Sequence, residues 1–265
     1  MDKNPQIVQP EDWSPGGSGY SVPAFLIHDG GGTTFAYHCL NPISRLVYGI
    51  HNPNFSSGEP FDGGITEMAR LYCGFIKNAI REPEFPKRRN ADGKVRLLLG
   101  GWSLGGLLSL EMAKQLDKED SGVEVIGILM VDSVYPVKRF TTAPANVSEE
   151  GKRKNEILSD RAMVDARRMI QHWTPPVWDG DSAGQRPRTT MLRANKSVPD
   201  QRGELVDGRR EERNLGWDAH EKDMFAQVVD VEGHHFELFS FENIEGISEA
   251  IKKALVDLEH AALRA

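Results

Sequence analysis

Two cysteines in 265 residues, Cys39 and Cys73, are too few for a disulfide framework, which excludes a small secreted scaffold held by cross-links. Both lie in helix-like apolar stretches, so buried free thiols in a reducing compartment are expected. No apolar run approaches the ~20 residues that a membrane span requires. The N-terminus, MDKNPQIVQPEDW, lacks the basic start and apolar core of a signal peptide. A soluble, cytoplasmic protein with no membrane partner is the expectation. Positive charge is also short: 32 Lys and Arg stand against 39 Asp and Glu, a formal net charge of −7. Phosphate recognition needs clustered cations, so a nucleic-acid partner is disfavoured. No zinc-type Cys/His spacing, internal repeat or low-complexity tract occurs. Neither a metal nor a cofactor is expected, and a nucleophile must therefore be activated by side chains.

What is present is a globular composition, 39% apolar with 26 glycines, in a chain long enough for one large α/β domain spanning 1–265. Residues 1–20, rich in Pro, Gly and Ser, are expected to wrap the surface. Short apolar runs then alternate with helical periodicity. Ala24–His28, Arg45–Ile50, Val95–Leu99, Val125–Val131, Thr189–Arg193 and Gln227–Val231 read as strands. Between them, Ile65–Ile80 places Met68, Leu71, Tyr72, Phe75, Ile76 and Ile80 on one helical face. A second helix follows Ser103 to about Leu116, and an amphipathic helix runs from about Asn243 to Leu263. Continuous apolar strands separated by helices predict a doubly wound, mostly parallel sheet covered on both faces. One stretch breaks the alternation. From 133 to 187 there is no strand, charge is dense, and Leu158, Ala162, Ala166, Met169 and Trp173 recur at helical spacing. This predicts an inserted helical lid over the sheet edge.

Gly101-Trp102-Ser103-Leu104-Gly105 matches G-x-S-x-G. The pentapeptide alone is weak evidence, since about one chain in ten of this length would contain it by chance. Its position carries more weight, because it lies where a buried strand turns into a helix. A nucleophilic serine on such a turn has a strained backbone and needs neighbours without side chains two residues before and after it. The helix that starts there points its amides at the reacting carbonyl, so the Leu104 N–H is a candidate oxyanion donor. The loop His28-Asp29-Gly30-Gly31-Gly32 offers a second donor, Gly30 first and Gly31 next; His28 itself reads as structural.

Serine needs a base oriented by an acid, and on this kind of sheet the chain order is Ser, acid, His. His172, His220, His234, His235 and His260 follow Ser103. His234 and His235 come directly after the last strand, in reach of the serine, whereas His172 in the lid and His260 in the final helix read as surface residues. Two acids compete: Asp132, at the end of the strand that follows the nucleophile strand, and Asp218, before the final strand. The binding edge of an open α/β sheet lies at the strands' carboxyl ends, which favours Asp132 without deciding the matter.

Taken together, the residues resemble the thioesterase domains of polyketide and nonribosomal peptide synthases, the fungal type in particular, which have the α/β-hydrolase fold. The similarity runs through Phe25–Gly32 with Phe35 and Tyr37, Val47–Ile50, Gly101–Gly106, Asp132 with Tyr135-Pro136, and Gly233-His234-His235-Phe236. The resemblance implies Asp132 as the acid and, through a terminal G-x-H-F motif, His235 as the base, with His234 in the variable position. It also implies a helical lid between the two. The implied reaction is attack by Ser103 on a thioester held by the phosphopantetheine arm of an acyl or peptidyl carrier protein, then release of the acyl chain by hydrolysis or intramolecular cyclisation.

Lys152, Arg153, Lys154, Arg161, Arg167 and Arg168 in the lid form either a docking face for an acidic carrier or a solvated helix exterior; Met169, Trp173 and Trp178 either line an acyl channel or pack as core. The Met-Asp-Lys start favours a free-standing enzyme over an excised domain. The rival expectations are an oxygen-ester hydrolase or lipase on the same fold, and a binding protein that keeps the fold without chemistry.

Overall fold

The structure, a computed structural model, describes residues 3–10, 21–118, 121–136, 149–179 and 185–264. Seven strands form one sheet in the order β1-β3-β2-β4-β5-β6-β7. They are β1 (Gln6–Gln9), β2 (Ala24–Ile27), β3 (Val47–Ile50), β4 (Val95–Trp102), β5 (Val123–Val131), β6 (Arg188–Lys196) and β7 (Gln227–His234). Strands β2 to β7 pair in parallel, and β1 alone is antiparallel, with Gln6 opposite Gly49 and Ile7 opposite Tyr48.

Alternation along the central strands splits the core in two. Leu97 and Leu99 of β4 face one side, where α2 (Gly64–Ala79) contributes Ile65, Met68, Tyr72 and Ile76 and α3 (Leu104–Lys118) contributes Leu107 and Leu108. Leu98 faces the other, against Ile247, Ile251, Leu255 and Leu258 of α5 (Ile244–Arg264). A strand buried on both faces has no polar alternation, which is why β4 reads as an apolar run from Leu97 onward, Arg96 at its start being paired with Glu124. Among the described residues no helix is long and apolar enough to cross a membrane.

Several expectations are corrected. Part of the N-terminal segment is not surface wrapping: Gln6–Gln9 adds an edge strand, four residues whose single alternation is too short to register as a pattern. Leu71 is exposed rather than part of the buried face of α2. Cys73 is buried but Cys39 is exposed. The reason is that α1 (Phe35–His38) is a single turn burying only Tyr37, and Cys39 follows it on the outer side. Strand β7 runs through His234, so only His235 lies past its end.

Between β5 and β6, α4 (Lys154–His172) buries Leu158, Ala166 and Met169, with Trp173 buried just beyond it. Residues 137–148 and 180–184 of the expected lid lie outside the described residues. Helix α4 sits directly on the loop after β2. A Cβ added to Gly30 would stand 2.6 Å from Met163 Sδ, one on Gly31 would stand 2.9 Å from Ser159 Oγ, and one on Gly32 would stand 3.3 Å from Ala162 Cβ.

Candidate active site

Ser103 directly follows β4 and has φ of 55°, the left-handed region that a serine enters only when its surroundings enforce it. The enforcement is visible in the backbone. The Ser103 N–H donates to Val131 O at 2.8 Å, and its carbonyl accepts from Ser133 Oγ at 2.7 Å, so the turn is pinned to β5. The flanking glycines have no room to be anything else: a Cβ on Gly101 would lie 2.5 Å from Ile27 O and 2.7 Å from the Gly105 backbone. Gly101→Ala is therefore expected to destabilise the fold by about 3 kcal/mol through overpacking. Gly74→Ala, where nothing lies within 4 Å of the new methyl, should be neutral or slightly stabilising. Denaturant midpoints of the two variants check this, and equal midpoints would refute it.

Leu104 is the first residue of α3, so its N–H has no acceptor within the helix. In the loop after β2 the two glycine amides differ. Gly31 N–H donates to Asp29 Oδ1 at 3.1 Å and is engaged. The preceding peptide, between Asp29 and Gly30, has its carbonyl held by Gly32 N–H at 3.1 Å and by His28 Nδ1 at 2.6 Å. Fixing that carbonyl turns the Gly30 N–H the opposite way, because a trans peptide holds the two antiparallel. A carbonyl only accepts, so His28 carries its proton on Nδ1, and Nε2 accepts from Tyr72 OH at 2.7 Å. Burial keeps this imidazole neutral, lowering its pKa to about 4.

Asp132 follows β5, is fully buried, and also has a left-handed backbone, φ 48°. Its Oδ2 accepts from His235 Nδ1 at 2.8 Å. The His235 ring lies 5.6 Å from the Trp102 ring, beside the residue that precedes Ser103. Burial would lift the Asp132 carboxyl, but hydrogen bonds from His235 and Arg210 outweigh it and hold the pKa down to about 2. Of the competing residues, Asp218 is exposed and accepts from Asn214 at 2.6 Å. His234 pairs with Glu237 at 3.1 Å; His172 and His260 are exposed.

Asp29 lies in the loop after β2. Burial pushes its carboxyl up to about 6, opposed by the Gly31 amide and by His235. Asp29 and His28 thus act on acid stability with opposite signs. The raised Asp29 takes up a proton in the folded state first, so stability is gained as pH falls through about 6. The depressed His28 resists protonation down to about 4 while the unfolded imidazole charges near 6.5, so stability is lost over that interval. Asp29→Asn should remove the gain and leave the loss, steepening the fall of Tm between pH 6.5 and 4. Melting curves across that range check it; a slope matching the parent's would show that Asp29 does not titrate there.

Four of the six lid cations are paired within the lid or against its neighbours. Lys152 pairs with Asp160, Arg153 with Glu156, Arg161 with Glu149 and Arg168 with Asp165. Met169, Trp173 and Trp178 belong to the buried core, with Trp173 Nε1 donating to Glu111 at 2.9 Å. Three contacts were not legible in the sequence: Arg210 chelates Asp132, Tyr72 orients His28, and Tyr37 bridges two backbone segments. The Tyr37 hydroxyl donates to Ile27 O at 2.6 Å and accepts from Trp102 N–H at 2.8 Å.

A parallel sheet carrying a glycine-flanked serine turn after β4, an aspartate after β5 and a histidine after β7 has the architecture of an α/β-hydrolase. Residues 23–255 match the family profile described as Thioesterase domain. The chain is 34% identical over 259 residues to Thioesterase frbD of Dothideomycetidae sp. (strain 11243), covering 91% of each. It is also 29% identical to a portion of the nonribosomal peptide synthetase imqB of Aspergillus flavus, over 95% of this chain and 8% of that one. The chain belongs to the thioesterase domain family. Its fold is shared with the solved NocB thioesterase domain in covalent complex with a fluorophosphonate nocardicin G analogue, at a TM-score of 0.64 and 24% identity, over 89% of this chain and 95% of that one.

Proposed function

We propose that this thioesterase works through a Ser103 acyl-enzyme and releases a polyketide or peptide chain from a carrier-protein thioester. The observation that carries this is the buried Asp132–His235 hydrogen bond placed beside the left-handed Ser103 turn. His235 Nδ1–H is held by the carboxylate, which leaves Nε2 as the basic nitrogen. In this scheme Nε2 takes the Ser103 proton as Oγ attacks the thioester carbonyl. The N–H groups of Gly30 and Leu104 receive the oxyanion; the engagement of Gly31 N–H by Asp29 supports Gly30 over Gly31. The carbon–sulfur bond then breaks, and the thiolate leaves with the proton from His235. Water, or a nucleophile within the acyl chain, gives its proton to His235 as it attacks the ester; the acyl carbon–Oγ bond then breaks and His235 hands that proton to Oγ, restoring the Ser103 hydroxyl.

Residues 133–187 serve as a lid within a single 1–265 domain, with α4 resting on the oxyanion loop. The carrier-borne substrate is supported by the relative that is itself a nonribosomal peptide synthetase. A cytoplasmic site of action goes with a carrier partner. The internal pairing of four of the six lid cations favours a solvated face there over an electrostatic docking face.

The test supplies purified protein with matched acyl groups on a carrier's phosphopantetheine arm, on N-acetylcysteamine, and as oxygen esters, then weighs the trapped adduct and the released product. Faster turnover of the thioesters, with an acyl adduct on Ser103, is expected. Preference for the oxygen ester with no action on carrier-bound acyl groups would replace this proposal with an esterase.

A further inference from the structure

Arg210 stands in the charge-dense connection between β6 and β7, yet its side chain is 5% exposed. Its guanidinium lies flat against the carboxylate of Asp132, Nη1 to Oδ1 at 2.5 Å and Nη2 to Oδ2 at 2.8 Å. The remaining donors are all taken: Nε by Asp207 Oδ1 at 2.9 Å, Nη1 also by Ala194 O at 3.2 Å, and Nη2 also by Val206 O at 3.3 Å. All five N–H groups of the fork are thus satisfied, which fixes the guanidinium in one orientation. Asp132 Oδ1 additionally accepts from Ala194 N–H at 2.9 Å. One carboxylate oxygen is therefore shared between Arg210 and His235, and the other is closed to the histidine.

We propose that Arg210 is a positioning residue for the Asp132–His235 couple, clamping the carboxylate so that one oxygen faces His235 and weakening the pull of that carboxylate on the imidazolium. The inference rests on the Ser103–His235–Asp132 assignment. A full negative charge against His235 favours the protonated ring and removes the base from use as pH falls. A cation bound to the same carboxylate works the other way. Asp207 sets how far: it draws on Arg210 from the opposite side and accepts from Val198 N–H at 2.6 Å, so the cation is divided between two carboxylates.

The other charged groups facing this site are common to every variant below. Asp29, in the loop after β2, is coupled to His235 electrostatically. The neighbouring His234 is paired with Glu237, and Arg202, which is paired with Asp200, lies 5.2 Å from the Phe236 ring.

The sign of the effect separates this role from a structural ion pair. Arg210→Gln should raise the titration midpoint of the His235 imidazole, and the acid limb of Ser103 phosphonylation by a fluorophosphonate probe, by about one pH unit. Asp207→Asn leaves Arg210 wholly to Asp132 and should lower both by about half a unit. The imidazole is followed by nitrogen-15 NMR, assigned with His235→Gln, and phosphonylation by intact mass. Opposite shifts of the imidazole support the proposal; midpoints unmoved from the parent's, or shifted in the same direction by both variants, overturn it. If Arg210→Gln does not fold, the direction of the Asp207→Asn shift decides alone. An imidazole that moves while the labelling profile does not would leave Arg210's control of His235 standing and remove the triad assignment instead.

Discussion

Ser103→Ala protein is expected to take up no fluorophosphonate label and to release acyl chains more slowly by a factor on the order of 10⁶. The size follows from what the hydroxyl supplies. Without it no acyl-enzyme forms, and water must attack the thioester directly, aided only by the oxyanion donors and by substrate binding. The variant should fold like the parent, because the turn is held by the Ser103 backbone, through Val131 O and Ser133 Oγ, and not by its side chain. Intact mass after probe treatment and single-turnover release of a thioester check the two halves. Labelling of the alanine variant, or turnover within tenfold of the parent, would mean that a different residue is the nucleophile.

The second large effect belongs to the acid. Asp132→Asn should lower turnover by roughly 10⁴, because an amide in that place can present a donor to His235 and favour the wrong tautomer. Asp218→Asn should change it by less than about threefold, since Asp218 is exposed and bonded to Asn214. Comparing kcat/KM of the two on one thioester is sufficient. Equal losses, or a larger loss at 218, would displace Asp132. The loss at 132 also contains the cost of leaving Arg210 without its anion, so Tm should be recorded beside activity.

The alternation of apolar strand and amphipathic helix was legible because β4 and β5 are buried on both faces and α2 and α5 on one, and burial is what writes such patterns. The short elements were not. Gln6–Gln9 and Phe35–His38 offer four residues each, too few for a period, and their existence depends on neighbours distant in the chain. Ser103 stood out because its glycines answer to a local steric demand. Asp132 and His235 could be shortlisted by their place at strand ends, but choosing them over Asp218 and His234 required the resemblance. Arg210 left no trace: it meets Asp132 from 78 positions away, and an arginine in a polar loop gives no sign that a buried anion awaits it. The exposed Cys39 failed for the opposite reason, an apolar neighbourhood credited with more helix than it forms.

Tyr37 joins the two halves of the proposed oxyanion site through a single oxygen, holding the end of β2 by Ile27 and the nucleophile turn by Trp102. Its phenol is buried, and burial keeps it protonated well above the ordinary tyrosine range. The gap between the Gly30 and Leu104 amides is therefore gauged from inside the protein, by a ring edge-on to Phe239 and seated among the side chains beneath α5. Slackness in that packing would reach the proposed oxyanion site as a change of width.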